Sequence, residues 1–125
     1  MNKQPVRAFI VTRSTPLADG LDALLGAIPQ IDEVRIIRTM DEALTQIENA
    51  RPRLALIDAV VAGNQLEETL KKMILLSPQT QRLLLVDDAQ HVKWMPQHAE
   101  AVLIKGVSPT AVTAMVTNLL FTYGE

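Results

Sequence analysis

The chain contains no cysteine. That excludes disulfide staples, thiolate metal centres and a cysteine nucleophile, and it fits a reducing compartment. Aromatic side chains are nearly as scarce, with two Phe, one Tyr and one Trp in 125 residues. Neither sign of charge dominates: 12 Lys and Arg stand against 14 Asp and Glu, mixed along the chain, for a formal net charge of −2. A surface built to neutralise phosphates needs a basic excess, so this stretch by itself is not expected to bind nucleic acid. No apolar run approaches membrane-spanning length, and the opening MNKQPVRAFIV is interrupted too soon to serve as a signal peptide. The expected location is the cytoplasm, with no membrane partner.

What is present is the composition of a folded domain, 48% hydrophobic and 21% charged with seven Pro and five Gly. A chain of this length holds one domain of ordinary size, so residues 1–125 are expected to form a single unit. Such a domain buries roughly two thirds of its unfolded surface and needs no staple.

The stretch RLALIDAVVAG, from Arg53 to Gly63, organises the rest. Leu54 to Ile57 is a short unbroken apolar run, which is what a strand buried on both faces of a parallel sheet requires. It stops at Asp58. A carboxylate directly after such a run belongs at the C-terminal edge of the sheet, where open α/β folds gather their functional groups. Comparable runs are Arg7 to Val11, Val34 to Ile37, Arg82 to Val86 and Ala101 to Ile104.

Between the runs, apolar residues recur at helical spacing. Leu17, Leu21, Leu24, Leu25 and Ile28 follow a Thr15 cap with Pro16 at the first helical position. Met40, Ala43, Leu44 and Ile47 follow a Thr39/Glu42 capping box, and Pro52 ends that helix near Ala50. Leu66, Leu70, Met73 and Ile74 mark a third helix, and Val112, Met115, Val116, Leu119 and Leu120 a last one after Ser108 and Pro109. The segment Ala89 to His98 predicts a short helix with a thin apolar pattern of Val92, Trp94 and Met95. Strands and helices alternating in this way demand a parallel sheet with helices on both faces. Thr12 and Arg13, Asp58, Asp87 and Asp88, and Lys105 then follow four of the strands and converge on one edge.

An acid after the third strand and a lysine after the fifth resemble the receiver domain of bacterial response regulators, over nearly the whole chain. STPLADGLDALL and VLIKGVSPTAVTAMVTNLL are similar to the corresponding segments of the subfamily that carries a C-terminal helix-turn-helix. The resemblance implies a CheY-like, flavodoxin-like doubly wound sheet with strand order 2-1-3-4-5. It implies Asp58 as phosphoacceptor, Lys105 as the cation that contacts the phosphoryl group, and a phosphoryl-sensing hydroxyl at or beside Asp87. DNA would be reached only through an output domain outside this chain.

The departures from that family concern charge. Phosphoryl transfer to a carboxylate gathers negative charges that a divalent ion must neutralise, and the family holds Mg²⁺ with two acids after the first strand. Here those positions read Thr12 and Arg13. Asp87 replaces the sensing hydroxyl, Val102 the switch aromatic, Ala62 the proline before Gly63, and Gly106 the proline after Lys105. The pattern implies an atypical receiver, a pseudo-receiver with no cofactor, in which Mg²⁺-dependent phosphorylation is not expected. Arg13 is expected to stand in for the metal and pair with Asp58, the other reading being that it points into solvent.

Plainer roles stand beside these. Asp58 is also a turn-forming acid, Asp87 and Asp88 are good caps for a following helix, and Lys105 is a candidate surface lysine. His91 and His98 have no carboxylate at ligand spacing and are not expected to bind metal. The last helix is more apolar than burial on a sheet requires, so Val112, Met115, Val116 and Leu119, with Trp94, are the interface candidates for a homodimer or for another regulator. Two competing functions are a working phosphoacceptor receiver and a flavodoxin-like cofactor carrier with Thr12, Ser14 and Thr15 in a phosphate-binding loop. Against the carrier, that loop has no glycine and aromatics are few. No enzyme activity is expected.

Overall fold

A computed structural model describes residues 5–88 and 98–123, and in it five parallel strands form one sheet in the order β2-β1-β3-β4-β5. The strands are β1 (Arg7–Val11), β2 (Glu33–Ile37), β3 (Leu54–Asp58), β4 (Gln81–Val86) and β5 (Ala101–Ile104). The helices are α1 (Thr15–Gly26), α2 (Met40–Ala50), a short α3 (Ala59–Ala62) continued by a 3-10 turn (Gly63–Gln65), α4 (Leu66–Leu76) and α5 (Pro109–Tyr123). This is the doubly wound order expected from the sequence. Among the described residues no helix is long and apolar enough to cross a membrane.

Alternation along the strands builds two cores, because successive side chains leave a strand on opposite faces. Ala8, Ile10, Leu54, Leu56, Leu83 and Leu85 pack with Leu21 and Leu25 of α1 and Val112, Val116 and Leu119 of α5. Phe9, Val11, Ala55, Ile57, Leu84 and Val86 pack with Ala43 and Ile47 of α2 and Leu70 and Met73 of α4. The central strand β3 is buried along its whole length, Asp58 included.

Local signals set most helix ends. Thr39 caps α2 by accepting the Glu42 N–H at 3.1 Å. The chain leaves α2 at Arg51 in the left-handed region (φ 48°, ψ 59°), since Pro52 disfavours right-handed helical geometry in the residue before it. The cap of α1 is Ser14, not Thr15: Ser14 Oγ accepts the Leu17 N–H at 3.3 Å, and Thr15 is the first helical residue. Pro16 then lies in the first turn, where its missing N–H costs nothing.

The interface expected on the last helix is corrected by its burial. Val112, Val116 and Leu119 are 6%, 0% and 4% exposed and belong to the core on the α1 side, and Met115 packs partly buried against it. The extra apolar character of α5 serves its packing against the sheet and α1 together. Among the described residues, Phe121 is the large apolar side chain that α5 leaves on the surface, at 55% exposure. Trp94, and all of the predicted Ala89–His98 helix except His98, lie outside the described residues.

A buried arginine ties the entry of β5 to the head of β4. The Arg82 guanidinium donates to the Thr80 and His98 carbonyls, each at 2.7 Å, and to the Glu100 carboxylate, which also accepts the Arg82 backbone N–H at 2.6 Å. Burial pulls the pKa of Arg82 down, against the opposing pull of Glu100. With each of its three guanidinium nitrogens hydrogen-bonded, this cation is tolerated in the interior.

Side-chain truncations on α5 separate core from surface. Leu119→Ala is expected to cost about 2–5 kcal/mol of stability in urea unfolding, as for a core leucine, whereas Phe121→Ala stays within about 0.5 kcal/mol.

Candidate functional site at the C-terminal edge of the sheet

Because all strands run parallel, the residues after β1, β3, β4 and β5 meet at one edge. β3 lies between β1 and β4, with Val11 beside Ile57 and Asp58 beside Leu85. Thr12 therefore flanks Asp58 on one side, while Asp87 and Lys105 flank it on the other.

Asp58 is held at both carboxylate oxygens. Its Oδ1 accepts from Lys105 Nζ at 2.6 Å and from the Val60 N–H at 3.1 Å, and its Oδ2 accepts from Thr12 Oγ1 at 2.7 Å. The Val60 bond makes Asp58 the N-cap of α3, so its turn-forming role and its place in the pocket coexist. Thr12 is fully buried; its hydroxyl accepts the Ser14 N–H at 3.1 Å, and its own N–H bonds the Ile37 carbonyl at 3.0 Å. Lys105 is anchored through its N–H to the Val86 carbonyl at 2.8 Å and turns through Gly106 at φ +90°. Its ammonium bridges two acids, with Asp87 Oδ1 at 3.0 Å.

These contacts decide the ionisation states. Burial pushes the Asp58 carboxyl up, but hydrogen bonds from Lys105, Thr12 and the Val60 N–H outweigh it and leave the pKa lowered. For Lys105, burial lowers the pKa while its bonds to Asp58 and Asp87 raise it, and the net shift is upward. The pocket is an ion-paired cluster of one ammonium and two carboxylates, closed on the β1 side by a neutral hydroxyl.

The sequence grouped Thr12, Asp58, Asp87 and Lys105 in this pocket, and the structure brings these four together. Arg13 is not part of the contact set: its side chain is exposed and makes no ion pair with Asp58, whose cation is Lys105. Thr12 takes the inward direction after β1, and the next residue along an extended chain faces away. Sequence reasoning missed Arg38, which donates to the Arg13 carbonyl at 2.8 Å and to Thr15 Oγ1 at 3.0 Å and so pins the β1–α1 loop. Its signal was available, since Arg38 follows β2 as the other edge residues follow their strands. The hydroxyls of that loop are engaged within the protein: Thr12 on Asp58, Ser14 on α1 and Thr15 on Arg38.

On its β1 side, where Thr12 and Arg13 stand, this donor set offers a hard cation no carboxylate. Asp58 Oδ1 is taken by the Lys105 ammonium at 2.6 Å and its Oδ2 by the Thr12 hydroxyl at 2.7 Å. Among the described residues no group of three or more His, Asp or Glu is gathered to hold a metal.

No family model matches the chain, and no curated protein matches it. Solved structures do. A CheY-like response regulator receiver domain protein from Methanospirillum hungatei JF-1 superposes with a TM-score of 0.81 at 26% identity, covering 96% of this chain and 97% of that one. The chain has the fold of a CheY-like receiver domain. The signal receiver domain of an HD domain-containing protein from Pseudomonas fluorescens Pf-5 superposes at 0.83 with 16% identity over 99% of this chain and 93% of that one. A receiver-modulated diguanylate cyclase from Pelobacter carbinolicus gives 0.77 at 20% over 95% of both chains. In this fold Asp58 is the last residue of the third strand and Lys105 the first residue after the fifth.

The paired charges make stability depend on pH at both ends. A carboxyl with a lowered folded pKa adds stability above its ordinary value of 3.8, and that stability is lost as pH falls through the folded value. An ammonium with a raised pKa adds stability below its ordinary value of 10.5, lost as pH rises through the folded value. Urea midpoints are therefore expected to fall below pH 3.8 in the native protein and to fall less in Asp58→Asn. At pH 7, Lys105→Met is expected to cost about 3 kcal/mol, the low end for buried pairs because the lysine keeps 22% of its side chain exposed. Asp87→Asn is expected to cost under about 1 kcal/mol, since that carboxylate is 54% exposed.

Proposed function

We propose that this chain is a cytoplasmic signalling module, not an enzyme, built on the receiver fold with its pocket held by an internal cation. The observation that carries the reading is the β1 side of the pocket, where the Thr12 hydroxyl meets Asp58 Oδ2 at 2.7 Å, Arg13 is exposed and no carboxylate stands. One ammonium against two carboxylates leaves the cluster net negative, which opposes an incoming phosphoryl group. Asp87 stands where a hydroxyl would answer a phosphoryl group, and its negative charge opposes one. Thr12 and Arg13 leave no second carboxylate on the β1 side. On this reading the pocket is a fixed structural cluster, the domain holds one conformation, and it works as a pseudo-receiver without Mg²⁺-dependent phosphorylation.

The output of such a module is contact with protein, as a homodimer or with another regulator. The similarity of STPLADGLDALL and VLIKGVSPTAVTAMVTNLL to helix-turn-helix regulators supports a place in transcription regulation, with DNA bound by an output domain outside this chain. A second reading, a working receiver that uses Asp58, is favoured by the direct contact of Asp58 with Lys105.

Mass spectrometry after incubation with acetyl phosphate and Mg²⁺ separates the two. The proposed module is expected to gain no phosphoryl group, while Thr12→Asp combined with Arg13→Asp acquires one at Asp58. Modification of the native protein that disappears in Asp58→Asn would establish the working receiver instead.

A further inference from the structure

The N-terminal edge of the sheet carries a second polar cluster, away from the Asp58 pocket. Arg7 pairs in register with Glu33, and Phe9 with Arg35, so by alternation Arg7, Glu33 and Arg35 lie on the face that packs against α2. Both oxygens of Glu33 are used: Oε1 accepts from Arg7 Nε and Oε2 from Arg35 Nε, each at 2.7 Å. Each guanidinium has a further anchor. Arg7 Nη1 donates to the Ala50 carbonyl at the end of α2 at 3.0 Å, and Arg35 Nη1 donates to Gln46 Oε1 at 3.1 Å.

The anchoring leaves unspent donors. Neither the Arg7 nor the Arg35 Nη2 group has a partner among the described residues, and neither does the side-chain amide of Asn49. Arg7, Arg35 and Asn49 line one polar cavity of about 370 Å³ with Thr45, Gln46 and Ala50. Side-chain exposures of 26% for Arg7 and 37% for Arg35 leave it open to solution but partly shielded. The two guanidiniums against Glu33 leave a single positive charge, and Glu42 stands behind Gln46 at 3.4 Å. Since β1 runs from Arg7 to Val11, the cavity lies roughly 16 Å along the strand from the Asp58 pocket.

We infer that this cavity is a binding site for a small oxyanion, a carboxylate or a phosphate, held by Arg7, Arg35 and Asn49. Guanidinium N–H groups match planar and tetrahedral oxyanions and hold them through charge-assisted hydrogen bonds. Fixing both arginines on Glu33 in advance removes much of the side-chain ordering that binding otherwise costs.

Thermal unfolding and ¹⁵N-resolved NMR test the site, with sodium phosphate or sodium acetate added against sodium chloride at constant ionic strength. The native protein is expected to gain about 3–6 °C in Tm at five times Kd of at least one oxyanion, and to show shifted Nε–H resonances of Arg7 and Arg35. Asn49 is exposed on α2, so its replacement leaves the fold intact. Asn49→Asp places a carboxylate in the cavity and is expected to abolish both effects, while Asn49→Ala weakens binding several-fold. An equal response in native protein and Asn49→Asp, or no response beyond chloride in the native protein, overturns the assignment.

Discussion

A carboxylate at the end of a strand buried on both faces has to be compensated, and the pocket is arranged around that need. Asp58 caps α3, takes the Thr12 hydroxyl and pairs with Lys105. Coulombic attraction and hydrogen bonds together exceed the desolvation cost, so the acid remains ionised although its side chain is only 6% exposed. Lys105 can reach it because β5 lies two strands from β3 and the chain turns back at Gly106, where φ +90° suits a residue without Cβ. The loops after β1, β3, β4 and β5 are thereby joined through one carboxylate and one ammonium.

The two ends of the sheet use the same chemistry for different purposes. At the C-terminal edge one cation is shared by two acids; at the N-terminal edge one acid is shared by two cations. The first arrangement sets two acids against one cation and so opposes an incoming anion. The second leaves donors over. Glu33 and Arg35 also place charge on the inner face of an edge strand, which discourages pairing with another sheet.

Much of the fold was legible from residue patterns. Unbroken apolar runs marked the strands, and helical spacing marked α1, α2, α4 and α5, since these periods follow from backbone geometry. Thr39 and Pro52 gave both ends of α2 correctly because caps and proline act locally. The cap of α1 was misplaced by one residue: Ser14 and Thr15 have the same capping chemistry, and Arg38, from another loop, takes the Thr15 hydroxyl. The apolar surplus of α5 was assigned to an interface because sequence cannot say how many neighbours a helix has. It packs on the sheet and on α1.

The sequence by itself determined that this is a parallel α/β domain with a carboxylate, a lysine and a hydroxyl brought to one edge, because strand direction fixes where residues after each strand must lie. It also determined that no acid follows β1, where Thr12 and Arg13 stand. Only the tertiary structure decided that Lys105 rather than Arg13 is the partner of Asp58. Which of two adjacent residues faces inward depends on the exit angle of the chain and on the loop that Arg38 pins. The Arg7–Glu33–Arg35 cluster was likewise invisible in the sequence, since strands distant in the chain become neighbours only when β2 pairs with β1.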